Sequence, residues 1–421
     1  MSGTSTGWKF GHGYWTVFAS ATVSSLGDGI RLVAMPLLAF SITGSAVDIS
    51  LIMVIAALPG LLFGSVIGVL VDRFDRRWIL TAANALRTVL VLAFALLVLS
   101  GSVSLWHIYA VTAALSIAEL FAESTTFAMI ATPVPPELLE KANSRFFAAR
   151  LLSQQVLGSP IAGVLFGIAV SAPFFAEGGL FLAAAVISLM IPVLKSPPGR
   201  EPSVAPSPST MLRELHEGLC AIRDIPLLRA LALSDAALNY LMLTGTALLV
   251  VFAKRDLGLT DAQYALLFTA AALGSLLGGL LVPALVRRAG VPWTLALTLL
   301  VTGLSRLGLG LASGPWLAIA TFFTCGGAIF MWEIALGSYQ QRVTPNHLLG
   351  RVHATTYALG YGAAVVAALT GGLLAELVGV RPVIVVGAVA TLALSCYWIR
   401  LAVLRPPPAP TAESLPTSAA G

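Results

Sequence analysis

The chain has 421 residues, of which 57% are hydrophobic and only 10% charged, and its mean hydropathy is +0.91. Soluble domains carry about 25% charged residues, so a water-facing globule is excluded and a lipid-embedded protein is implied. The net charge of +5 does not point to nucleic acid, because Lys and Arg collect in alternate loops, as they do at the cytoplasmic face of membrane proteins.

A helical crossing takes about 20 mostly apolar residues, and a helix pairs its backbone groups within its own segment. Apolar runs predict spans near 14–40, 47–71, 77–99, 104–132, 141–170 and 174–194, then 227–251, 261–286, 291–312, 315–341, 351–376 and 381–402. The first run exceeds the roughly 7–15-residue core of a secretory signal, so it reads as a retained anchor. Five segments follow from this: 1–13, a cytoplasmic lead; 14–194, a six-helix bundle; 195–226, a linker; 227–402, a second bundle; and 403–421, a disordered tail. Lys195 to Thr210, KSPPGREPSVAPSPST, has the composition of a solvated linker. Leu212 to Leu231 is charged and helix-like, which suits either a helix along the cytoplasmic surface or a plain connecting helix.

Arg73, Arg76, Arg77, Lys141, Arg145, Arg287, Arg288, Arg342 and Arg351 fall on the side assigned inside. The side assigned outside holds Lys254, Arg255 and Arg381, so both termini are expected in the cytoplasm. The second half aligns on the first at a constant offset of 210: Gly64-Ser65 on Gly274-Ser275, Gly68 on Gly278, Trp106 on Trp316, Glu123 on Glu333 and Pro135 on Pro345. Matches at Trp, Glu and Pro together imply a duplicated six-span unit, whose binding site would lie near the midplane between the halves. The three cysteines, Cys220, Cys325 and Cys396, are far apart and support neither a disulfide framework nor a metal site.

Gly68-Val69-Leu70-Val71-Asp72-Arg73-Phe74-Asp75-Arg76-Arg77 joins spans two and three. It resembles the signature loop of the major facilitator superfamily, a Gly, an Asp-Arg and a basic pair. The resemblance implies twelve transmembrane helices in two pseudo-symmetric six-helix bundles, an all-α membrane fold. It also gives Gly68, Asp72, Arg73 and Arg77 a part in locking the cytoplasmic side; a basic loop that only sets topology is the plainer alternative. The second-half equivalent keeps Gly278 and Arg287-Arg288 but has Val282-Pro283 in place of Asp-Arg. In span five, Gly158, Pro160 and Gly163 resemble a shortened form of the exporters' Gly-Pro signature, although packing alone would also favour them. Ser25-Leu26-Gly27-Asp28-Gly29, Pro36, Thr43-Gly44-Ser45 and Leu349-Gly350-Arg351-Val352 are similar to the branch with enterobactin exporters and macrolide or multidrug efflux proteins. Many drug/proton antiporters carry an Arg in span four, where this chain has Glu119 and Glu123 instead.

Ionisable residues inside spans cost roughly 2.5–3.5 kcal/mol each on insertion scales, so each suggests a function. Asp28 lies about 21 Å along span one, with Arg31 one turn later. Arg87, Glu119, Glu123 and Glu333, the repeat partner of Glu123, complete a candidate proton-coupling set in a central cavity. A fixed structural ion-pair network is the alternative. Arg306, toward the outer end of span nine, reads as snorkelling. Gln154, Gln155, Asn239, Tyr240, Trp332, Gln340, Tyr357 and Tyr361 are candidates for the substrate path.

No Gly-rich phosphate loop and no metal-ligand spacing is present, so no enzyme and no cofactor is expected, the proton gradient supplying the energy. The expected protein is a monomeric, multi-pass inner-membrane antiporter that exports a small amphipathic drug, siderophore or natural product, with protons and the bilayer as its other partners. An importer or lipid transporter of the same fold, and a non-transporting sensor or scaffold, are the rivals.

Overall fold

The computed structural model describes residues 11–131, 134, 138–192, 208–345 and 348–404. The first ten residues, most of the Pro/Ser-rich linker and the tail beyond Leu404 lie outside this set. Gly68, Asp72 and Tyr361 occupy helix positions whose side chains also lie outside it.

The chain is helical throughout this set. In the first half, α1 (His12–Ile42), α2 (Ala46–Arg73), α3 (Arg76–Leu99) and α4 (Leu105–Ala131) run alternately through the bundle. They are followed by α5 (Leu139–Leu151), a wide π turn (Leu152–Gly158), α6 (Ser159–Ile168) and α7 (Ala172–Leu189). The π turn stands immediately before Pro160, which has no N–H to offer the carbonyl four residues back, so the α ladder loosens there. Then come α8 (Pro208–Asp224), α9 (Pro226–Ala247), α10 (Leu249–Val251), α11 (Asp261–Gly310), α12 (Pro315–Val343), α13 (Leu349–Val378) and α14 (Val380–Leu404).

Ten described helices are long and apolar enough to cross a membrane, or eleven if the bent pair Pro226–Ala247 and Leu249–Asp256 forms one span. One of the ten, α11, has 50 residues, too many for a single crossing at 1.5 Å per residue. It turns at Gly290, whose φ of 76° is open to glycine at little cost, and its two arms match the eighth and ninth predicted spans. Counted as two, it brings the crossings to eleven, and to twelve with the bent pair as one span. The duplication also has a structural trace: α4 and α12 begin at Leu105 and Pro315, and α5 and α13 at Leu139 and Leu349, both pairs 210 residues apart. Trp106 and Trp316 are exposed alike, 78% and 79%, on the first turns of α4 and α12.

The predicted helix through Leu231 is in fact broken. Ile225 is extended and Pro226 restarts the chain as α9, because proline fits the first turn of a helix but not its interior. α8 lies against the first turns of α13, where Glu217 Oε2 pairs with Arg351 Nη1 at 2.6 Å.

The two halves meet at the end of the molecule remote from Arg73, Arg76 and Arg287. There Ser45 donates to Glu376 Oε1 at 2.9 Å, Arg255 covers the Phe40 ring at 5.8 Å, and Gly163 abuts the backbone of Asp261 and Ala262. A cavity lies alongside, lined among the described residues mostly by the first half.

Candidate functional site

Four helices of the first half converge on one cluster of charges. α1 supplies Asp28 and Arg31 one turn apart, α3 Arg87, α4 Glu119 and α7 Glu177. α1 can lie this deep because its inner face carries small residues. At Gly29 a side chain is excluded, since a Cβ would fall 1.9 Å from the carbonyl oxygen of Gln154, and Gly158 faces Gly29 across the same crossing. Gly158 and Gly163 therefore serve close packing, the first within its half and the second between halves.

Arg31 is the hub. Its Nη2 lies 2.8 Å from Asp28 Oδ1 and 2.7 Å from Glu119 Oε2, while its Nε lies 3.3 Å from Glu177 Oε1. Arg87 pairs through Nη2 with the same Asp28 oxygen, donates from Nη1 to Ser24 Oγ at 2.7 Å, and stacks on Phe181 with 3.8 Å to the ring centre. The Ser24 hydroxyl in turn donates to Asn84 Oδ1 at 3.3 Å. Exposure falls inward, from 27% at the Glu119 side chain to 12% at Asp28 and 0% at Glu177. Three carboxylates against two guanidiniums leave one negative charge uncompensated when all are ionised. One bound proton makes the cluster neutral, and neutrality matters where an unpaired charge costs several kcal/mol.

The cluster opens on a cavity of about 1010 Å³, within the range that takes a drug-sized ligand. Its apolar wall includes Met35, Ile52, Met53, Leu61, Phe127 and Phe146. Its polar wall carries Asp28, Arg31 and Glu119, with Glu123 paired to Arg150 beside them. Glu119 and Glu123, one turn apart, thus turn to different guanidiniums.

Among the described residues, the second half contributes little to the lining. Of its described candidates only Tyr357 reaches the cavity; among the first-half glutamines, Gln154 does. Gln155 accepts a bond at its backbone carbonyl from Thr269, at 3.2 Å. Tyr240 bonds Thr370 at 2.9 Å, Gln340 donates to Thr356 at 2.8 Å, and the Asn239 amide donates to the backbone of Asp235 at 3.0 Å. Trp332 is buried edge-on against Trp398 and donates to Asp235 Oδ1 at 3.2 Å. Glu333 stands apart from the cluster, near Asp235. The expected snorkelling of Arg306 is not seen: its guanidinium is buried against Gly245 and Gly387, because the small residues leave it room inside the bundle. In the signature loop, Asp75 accepts from the Arg77 backbone N–H at 2.9 Å and caps α3, and the Arg77 side chain donates to the Leu189 carbonyl, within its own half. Arg73 is exposed at the end of α2.

Glu177 is the residue that sequence reasoning missed. It lies close to the predicted start of span six, where a charge passes for an interfacial one. The available signal was its spacing: it is the lone ionisable residue of α7 and shares the face of Phe174 and Phe181, three and four residues away.

Two helical bundles that meet over a charged cavity are a plan found in membrane transporters. The family model of the Major Facilitator Superfamily matches residues 17–354 and 232–420, and the chain belongs to that family, one of transporters rather than enzymes. An uncharacterized MFS-type transporter, YfiS of Bacillus subtilis (strain 168), is 26% identical over 87% of this chain and 88% of its own. Macrolide efflux protein A of Streptococcus pyogenes is 24% identical over 87% and 90%, and the multidrug efflux pump Tap of Mycolicibacterium fortuitum 25% over 89% and 93%. Among solved structures, the nucleoside transporter NupG superposes with a TM-score of 0.72 at 11% identity over 93% of this chain and 99% of its own. A bacterial homologue of the iron transporter ferroportin, in an inward-facing state, gives 0.67 at 16% over 92% and 98%. These structural likenesses establish the fold.

Proposed function

We propose that this transporter exports a small amphipathic compound from the cytoplasm in exchange for protons. The observation that carries this reading is the three-carboxylate, two-guanidinium cluster that reaches, through Asp28, Arg31 and Glu119, the wall of a largely apolar cavity. An apolar wall of this size receives a hydrophobic body, and the uncompensated negative charge receives either a proton or the positive group of a substrate, not both at once. Likeness to macrolide and multidrug efflux proteins over most of the chain supports export. With the basic loops inside, the seal around Ser45 and Glu376 lies on the outer face and the cavity faces the cytoplasm, ready to load cargo for export. Asp28, Arg31, Arg87 and Glu119 carry the coupling in this reading, and the chain works as a monomer in the cell's inner membrane with both termini inside.

The test is extrusion of a lipophilic fluorescent cation from cells stripped of their own exporters and expressing this chain. Collapse of the proton gradient abolishes extrusion, and Asp28→Asn lowers it at least tenfold. Extrusion that persists without a proton gradient defeats the antiport reading.

A further inference from the structure

Glu177 has no part in lining the cavity, yet it is the most enclosed carboxylate of the cluster. Both its oxygens lack a hydrogen-bond partner, and its one ion pair, to Arg31 Nε at 3.3 Å, is longer than the 2.7–2.9 Å of a tight charge-assisted bond. Phe174 and Phe181, both fully buried, flank it on α7, and the Phe94 ring packs edge-on against Phe174 with 5.1 Å between centres. The charges facing it are Arg31 and Asp28 from α1, Arg87 from α3 and Glu119 from α4; α6, which also packs on α7, has no titratable residue. The charged groups that face Glu177 among the described residues therefore all belong to the cluster.

Resting on the antiport reading above, we propose that Glu177 carries the exchanged proton, and that Arg31 relays its charge state to the cavity-facing Glu119. Proton and cationic substrate thus compete without touching the same carboxylate. Arg31 makes this possible because it divides itself: Nε faces Glu177 while Nη2 serves Asp28 and Glu119. With Glu177 protonated, the remaining two carboxylates and two guanidiniums cancel, Arg31 belongs to Asp28 and Glu119, and the cavity wall offers no net charge. When the carboxyl O–H bond breaks and the proton leaves to water, Glu177 becomes a carboxylate and draws on Arg31. Glu119 is then left under-compensated, and the wall acquires one negative charge that a monovalent cationic amphipath neutralises. One proton is released for each such cation bound. Glu177 is a positioning residue for the substrate, acting on it only through Arg31.

Tetraphenylphosphonium added to the purified protein in weakly buffered detergent tests this directly. The wild type releases about one proton per cation bound, and its affinity rises with pH up to tenfold per unit. Glu177→Gln releases none and binds with an affinity that no longer depends on pH. In proteoliposomes this variant exchanges probe for probe but not probe for proton. Glu177→Asp, which keeps a titratable group in a different position, restores release and displaces the pH midpoint of binding; should the Gln variant fail to fold, that displacement is the deciding readout. Proton release by Glu177→Gln equal to wild type, or an unmoved midpoint in Glu177→Asp, overturns the assignment to Glu177 alone. A wild type that binds the probe without releasing a proton overturns the antiport reading itself.

Discussion

The two halves share one helical plan and use charge in opposite ways. In the first half, buried and partly buried charges from α1, α3, α4 and α7 are joined through Arg31 and Arg87 into a single network. In the second half, the described ion pairs lie near helix ends, as at Lys254–Asp261, Arg381–Asp256 and Arg351–Glu217. Its deeply buried guanidinium, Arg306, has no carboxylate partner among the described residues; Nη1 points at Met242 Sδ from 3.9 Å and glycines line its sides. Repeat partners have diverged in the same sense: Glu123 is paired with Arg150, while Glu333 has no such pair among the described residues. The two halves thus share a helical plan, while among the described residues the buried charge network lies in one of them.

The largest effect that would test this contrast is removal of the hub. Arg31→Met strands Glu119 and Glu177 and destabilises the protein by about 3–5 kcal/mol, with complete loss of transport; a melting curve in detergent and a transport assay read both. Arg31→Lys does not restore transport, because a point charge cannot divide itself among three carboxylates as a guanidinium does. Next in size, Gly29→Ala costs about 1–3 kcal/mol of overpacking, and Gly274→Ala costs a similar amount in the other half, since a Cβ there would lie 1.8 Å from the Phe323 carbonyl oxygen. A loss well below this range in either variant would break the claim that small residues set close helix packing in both halves. Arg306→Met leaves the melting temperature unchanged or raises it, by up to about 1 kcal/mol in stability, because a buried unpaired charge is replaced by an apolar side chain of similar length. A fall as large as that of Arg31→Met would erase the contrast. Smallest of all, Glu123→Gln changes stability by less than about 1 kcal/mol, since its pair with Arg150 is half-exposed.

Much of this architecture was legible in the residue order. Runs of about 20 apolar residues can only become helices in lipid, whatever their neighbours, and the 210-residue offset predicted the paired helix starts at Leu105 and Pro315. The basic loops, the Gly68 to Arg77 stretch and the superfamily assignment were equally available, since they rest on local spacing. Of the cluster, Asp28 and Arg31 were readable as an i, i+3 pair on one helix, a local relation.

Helix packing decided the rest. Arg87 and Glu119 were readable as members of one central set, but the sequence does not say that Arg87 pairs with Asp28 or that Glu119 and Glu177 meet at Arg31, because the rotation of each helix about its axis is set by where small residues such as Gly29 and Gly158 let neighbours approach. The same rotations turned Tyr240, Trp332 and Gln340 into packing contacts and, among the described residues, left most of the cavity lining to the first half. Hydropathy alone determines which segments enter the bilayer, since that is a transfer between solvents. Which side chains face one another once inside is a matter of shape, and only the folded bundle decides it.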